Sequence, residues 1–168
     1  PTITDGFTAL NTERWHVEQA SQWSIVANAL RLNVAIASDI RWTADAKNAC
    51  HVRTPISDGT RLGGNGAVIQ QVKIASLTSI PADLSITGLL AYNFRTGNAL
   101  WFGLFKTGAN HLIGYKLFKG GVLSARVQLD DLGAGFAPIY LRLTASPTVA
   151  GTFTFEWGTT SFTAGMTA

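Results

Sequence analysis

Three features of the chain predict an all-β fold, a two-sheet antiparallel sandwich. Apolar residues recur at every second position in short β-branched and aromatic runs, Gly, Asn, Asp and Pro punctuate those runs, and helical periodicity is nearly absent. Short strands at regular spacing close into a sandwich or a barrel. The 168 residues give length for a single domain, 1–168. A chain of this size buries enough surface to hold a core without metals or disulfides, and the one cysteine, Cys50, can close no intrachain bridge.

Alternation places strands at Arg14–Glu18, Trp23–Val26, Ala29–Ala35, Asp39–Thr43, Ala49–Pro55, Ala67–Ser76, Leu84–Phe94, Leu100–Lys106, His111–Phe118, Leu123–Leu129, Ile139–Thr144 and Thr152–Trp157. Only Leu10–Arg14, behind the cap candidate Asn11, reads as a turn of helix. The glycine-rich stretch Asp58–Gly66 reads as a long loop. Three turns are chemically specified. Thr96-Gly97-Asn98, Thr107-Gly108-Ala109-Asn110 and Lys119-Gly120-Gly121 supply the Gly and Asn that accept the positive φ of tight hairpins, so the strands around them form a meander.

The last hairpin separates its faces cleanly. Ile139, Leu141 and Leu143 share one side with Phe153, Phe155 and Trp157, while Tyr140, Arg142 and Thr144 face outward with Thr152, Thr154 and Glu156. An Arg142–Glu156 cross-strand pair follows. The meander is less one-sided: one face carries Asn93, Arg95, Phe102, Lys106, His111, Ile113 and Tyr115, the other Tyr92, Phe94, Trp101, Gly103, Phe105, Gly114, Lys116 and Phe118. With apolar groups on both faces, the second must meet another sheet, a subunit or a flat ligand.

Composition narrows the function classes. The hydrophobic fraction of 46% excludes a disordered chain, and the charged fraction of 14% covers a surface thinly, which points to burial against other subunits and a homo-oligomer. Net charge is +3. Arg95, Lys106, Lys116, Lys119 and Arg126 lie in an acid-free stretch, but singly and without a nucleic-acid motif, which disfavours nucleic acid and favours a solvated edge or an acidic protein partner. No run of apolar residues is long enough for a membrane span, and no signal peptide opens the chain. Pro1-Thr2-Ile3 reads as an N-terminus left by trimming an initiator Met.

Several motifs together resemble the concanavalin A-like lectin/glucanase jelly rolls. Asp5-Gly6-Phe7-Thr8-Ala9-Leu10, Trp15, Trp23-Ser24-Ile25 and Ala29-Leu30-Arg31-Leu32 are similar to the family's opening strands. Gly88-Leu89-Leu90-Ala91-Tyr92 with Leu100-Trp101-Phe102-Gly103-Leu104 resembles its central strands, and Tyr140–Leu143 with Thr152–Trp157 its closing hairpin. The resemblance implies two antiparallel sheets, one concave. The family's tail motif is replaced by Gly158-Thr159-Thr160-Ser161-Phe162, without its Asp and Trp.

Catalytic chemistry finds no purchase. Family glucanases carry an E-x-D-x-x-E strand, whereas the Glu residues here are Glu13, Glu18 and Glu156, and Asp130-Asp131, which would diverge on alternation, read as a turn before Leu132-Gly133. Cys50 and His51 are neighbours, His16 and His111 lie far off, and no zinc, calcium or phosphate-loop spacing occurs; no cofactor or metal is expected. Cys50 reads as a buried small apolar group.

Aromatic exposure decides the binding candidates. Trp15, Trp23 and Trp157 coincide with the jelly-roll core pattern; Trp42 follows Arg41 beside the polar Asp45–Asn48 turn; Trp101 sits near Gly103, Gly114 and Lys116 on a platform or a bend. The candidate contact residues are therefore Trp101, Tyr115, Asn93, Arg95, Lys116 and Trp42, with Trp101 and Tyr115 on opposite faces.

The resulting expectation is a non-enzymatic virion structural protein resembling a phage capsid decoration or cement protein or a small tail component. It would be assembled in the host cytoplasm and packed against a major capsid or tail protein. The alternative is a carbohydrate-binding module holding a glycan on its concave sheet through Asn93, Arg95 and Tyr115. Reducing-end release from a panel of glucans should stay at buffer level; release that a Glu156→Gln substitution abolishes would overturn the carboxylate argument.

Overall fold

The computed structural model describes residues 6, 8–9, 16–17, 23–32, 52–53, 68–75, 87–93, 96–135, 138–146, 148–149 and 151–168. The expected strand Asp39–Thr43, the helical turn Leu10–Arg14, the loop Asp58–Gly66 and Cys50 lie outside them. All described regular structure is β, and every strand pairing is antiparallel. The backbone divides into two compact units, Pro1–Ser57 and Asp58–Ala168.

Among the described residues the first unit holds two small pairings. Strand β1 (His16–Val17) pairs with β4 (Val52–Arg53), and β2 (Trp23–Val26) with β3 (Ala29–Leu32). The two residues between β2 and β3, Ala27 and Asn28, both take positive φ (50° and 59°), the mark of a type I′ hairpin turn.

The second unit is a β-sandwich. Its three-stranded sheet joins β5 (Val68–Ile74), β11 (Ile139–Ala145) and β12 (Phe153–Gly158), with β11 in the centre. Its five-stranded sheet runs β10 (Val127–Asp131), β8 (Asn110–Lys119), β7 (Ala99–Thr107), β6 (Thr87–Tyr92), and β9 (Val122–Leu123) also pairs with β8. The meander thus forms as its turn chemistry predicts. Gly97 and Gly108 take φ of 68° and 58° in the two hairpins, where a side chain would be strained.

Face-to-face packing builds the core. Ile74, Ile139, Leu141, Leu143 and Trp157 from the smaller sheet meet Ala91, Leu100, Phe102, Leu104 and Ile113 from the larger one. Phe155 reaches across to Phe102, ring centroids 5.0 Å apart. No polar or charged residue is buried among the described residues. Polar ties lie at the margin, where the Trp157 indole Nε1 donates to Asp130 Oδ2 at 2.7 Å and joins the two sheets.

The expected strand Leu123–Leu129 is corrected to two strands. Ser124 interrupts it: its N–H donates to Leu117 O at 2.7 Å while its hydroxyl accepts from Leu117 N–H at 2.9 Å and donates to Ala125 O at 2.9 Å. A side chain has replaced part of the ladder. The second strand also continues through Asp130-Asp131, because a β-bulge between Gln128 and Asp130 lets Gln128 face Gly114 and Asp130 face Ile113. That extra residue reverses the alternation and turns Asp130 towards Trp157. The turn begins at Asp131, whose carboxylate accepts from Gly133 N–H at 2.8 Å.

Gly88, Gly103 and Gly114 stand side by side across β6, β7 and β8. A Cβ on Gly103 would lie 2.2 Å from Thr87 O, and one on Gly114 would lie 2.4 Å from the Phe105 ring. Gly103→Ala should therefore cost at least about 3 kcal/mol in chemical denaturation, since backbone atoms cannot yield as a side chain can. Gly135→Ala, with open space around it, should stay near wild type.

Candidate assembly surface

Register sets the expected contact residues apart. Trp101 faces Lys116 on β8 and Leu90 on β6, while Tyr115 faces Phe102 on the other side of the same strands. Trp101 is only 7% exposed, so no platform for a ligand is open there. Tyr115 is half-buried and lies flat on Phe155, centroids 4.9 Å apart and planes 9° apart, as part of the packing between sheets. Asn93 closes the β6–β7 hairpin: its carbonyl accepts from Gly97 N–H at 2.8 Å and its side-chain oxygen from Thr96 N–H at 3.2 Å. Arg95 and Trp42 lie outside the described residues. The structure therefore pairs Trp101 with Lys116 and commits Tyr115 to the sandwich.

The outward face of the smaller sheet carries the expected ion pair. Arg142 pairs directly with Glu156, Nη1 to Oε1 at 3.0 Å, and donates also to Phe162 O. With its amide oxygen turned to the guanidinium, Gln71 accepts from Arg142 Nε at 2.9 Å. One row across three strands is thereby saturated, and Glu156 is held as a structural partner. Beside it Tyr140 packs edge-on to Phe162 at 5.0 Å, with Lys73 Nζ 5.3 Å from its ring.

A different surface is open. Leu117, Val122, Leu123, Val127 and Leu129 are 36–69% exposed and follow one another along the end of β8, β9 and β10, a rim at one edge of the larger sheet. Lys116 and Lys119 on β8 and Arg126 before β10 accompany it. Sequence reading passed over this rim because it weighed aromatic residues as contact candidates and joined the two short strands into one. The signal was present in Val122-Leu123 directly after Gly120-Gly121 and in Val127 and Leu129 two positions apart.

Two ionic groups beside the rim are held in place. Arg126 lies over the Phe105 ring, 3.9 Å from its centroid, and donates to Thr107 Oγ1 at 2.9 Å. Asp131 accepts from Asn110 Nδ2 at 3.0 and 3.2 Å. Among the described residues no group of three or more His, Cys, Asp or Glu is placed to hold a metal ion, and no helix is long and apolar enough to cross a membrane. Comparison of the chain with protein-family models, curated proteins and solved structures gives no match.

Trp101→Ala should cost about 3–5 kcal/mol of folding stability, as for other buried aromatic truncations. Tyr115→Ala should lower stability as well through loss of the Phe155 stack. Equilibrium denaturation of both variants checks this; a Tyr115→Ala protein as stable as wild type would show that the stack contributes nothing.

Proposed function

We propose that the protein is a non-enzymatic structural component of a virus particle, a phage capsid decoration or cement protein or a small tail component, built on a concanavalin A-like jelly roll. One observation carries the reading. Five large apolar side chains stand exposed along one sheet edge of a chain in which only 14% of residues are charged. Exposed apolar side chains gathered at one sheet edge mark an interaction site. Attachment would bury the rim against a major capsid or tail protein, each square ångström of apolar area contributing ~25 cal/mol before the cost of association.

The carbohydrate-binding alternative finds less support at Tyr115, which is half-buried and stacks on Phe155. Tyr140 is the aromatic available on the outward face of the smaller sheet, half-buried against Phe162.

An antibody raised against the purified chain tests the assembly role on density-gradient fractions of lysates from cells producing the protein. The antigen should band with particles. Val122→Asp and Leu123→Asp should each release it, weakening attachment ~tenfold or more while thermal melts stay near wild type. Antigen confined to particle-free fractions, together with retention of the wild-type chain on a glycan array, would replace the assembly reading with the lectin one.

A further inference from the structure

The chain after β12 turns back on the strand it leaves. Gly158 is buried; beyond it only Ser161, Phe162 and Met166 are half-buried, and the other residues to Ala168 are exposed. Few contacts hold this segment down. Thr167 and Trp157 exchange backbone hydrogen bonds at 2.7 and 3.0 Å, the Phe162 carbonyl accepts from Arg142 Nη2, and the Phe162 ring meets Tyr140 edge-on at 5.0 Å. Backbone also lies close on backbone, since a Cβ on Gly158 would stand 2.6 Å from Gly165 O. Within the segment the Ser161 hydroxyl accepts from Thr163 and Ala164 N–H at 3.2 and 3.0 Å, a turn that needs nothing from the sheet.

Beneath it is a strand edge. Strand β12 stands at the end of its sheet order, with β11 on the other side. The Trp157 N–H and C=O point away from β11, because they bond Thr167, and alternation points those of Phe155 and Phe153 the same way. A segment held by a few surface contacts opens locally more readily than the strand under it, whose Trp157 belongs to the core. Once open, it leaves β12 a template for another strand. We infer that Thr159–Ala168 is a strap hinged at Gly158 and latched by Arg142, and that its closure keeps the β12 edge of one copy from pairing with the β12 edge of a second.

Nothing in β12 itself opposes such pairing. Its register with β11 is unbroken, whereas β10 carries a bulge. Its one charge, Glu156, is already paired with Arg142. An antiparallel copy centred on Phe155 would set Glu156 against Thr154 and Phe153 against Trp157, so no like charges would meet. The strap therefore does at β12 what bulge and charge do at β10. It belongs to the smaller sheet and does not depend on the assembly role of the rim.

Native-state hydrogen exchange and sedimentation of the full chain test this. The wild-type Trp157 N–H should exchange at least ~tenfold faster than the amides of central β11. Thr167→Pro removes the N–H that reaches Trp157 O, at an exposed position, and Gly158→Ala sets a Cβ against the Gly165 carbonyl. Each should speed Trp157 exchange a further ~tenfold while the β11 amides stay near wild type, and each should strengthen self-association ~tenfold or more. Thr154→Glu added to Thr167→Pro should cancel the gain, because it sets carboxylates opposite each other across the pairing. A wild-type Trp157 N–H as slow as the β11 amides overturns the inference. So does fast Trp157 exchange in the variants without stronger association, or an association that survives Thr154→Glu.

Discussion

Strand β7 is the constraint on which the larger unit depends. Ala99 through Phe105 are buried without interruption, so alternation does not give this strand a wet face. A strand buried on both sides needs cover on both. Leu100, Phe102 and Leu104 find it in the smaller sheet. Phe105 finds it differently. Its ring occupies the space that a side chain on Gly114 would fill, and the Arg126 guanidinium lies over it at 3.9 Å. Glycine on β8 is thus the condition for closing the second face with a cation on an aromatic ring, an arrangement that excludes water from the ring and leaves the charge at the surface.

The remaining polar groups follow from that apolar centre. With no polar residue buried among those described, directional bonds are pushed to the margins, where they set register instead of filling space. Trp157 shows the division within one side chain: its ring is part of the core and its N–H reaches Asp130 at the sheet edge. Asp130 meets it because the bulge has reversed the strand's alternation. On the smaller sheet Arg142 binds Glu156, the Phe162 carbonyl and Gln71, tying all three strands and the segment after β12 together. Thr167 then exchanges backbone hydrogen bonds with Trp157 at 2.7 and 3.0 Å and covers part of the β12 edge.

Much of this architecture was readable from residue types because it rests on local rules. Trp23–Val26 matches its predicted bounds, the meander strands fall within a few residues of theirs, and the Gly-containing turns stand where hairpins require them. The Arg142–Glu156 pair follows from alternation across one hairpin. What escaped depends on non-local geometry. A serine hydroxyl that replaces a ladder bond looks in sequence like an ordinary strand residue, so β9 and β10 merged into one. Tyr115 was assigned to the right face, but which face of the meander meets the other sheet is decided by contacts far apart in the chain. Exposure of Val122 and Val127 is likewise invisible to composition, since valines of the same kind fill interiors.

The rim also meets a demand that an exposed sheet edge always makes. An unpaired strand with apolar side chains invites indiscriminate pairing, and proteins blunt such edges with bulges and charges. Here both devices sit on β10 itself: the bulge between Gln128 and Asp130 and the charges of Arg126, Asp130 and Asp131. They act on different parts of the strand. The bulge breaks the regular backbone ladder that any extended segment could join, while Val127 and Leu129 stay exposed beside it. The Arg126 guanidinium and the Asp131 carboxylate are meanwhile committed to Thr107 and Asn110, so charge stands fixed at both ends of the strand. Backbone irregularity and charge thus both act against indiscriminate pairing at this edge.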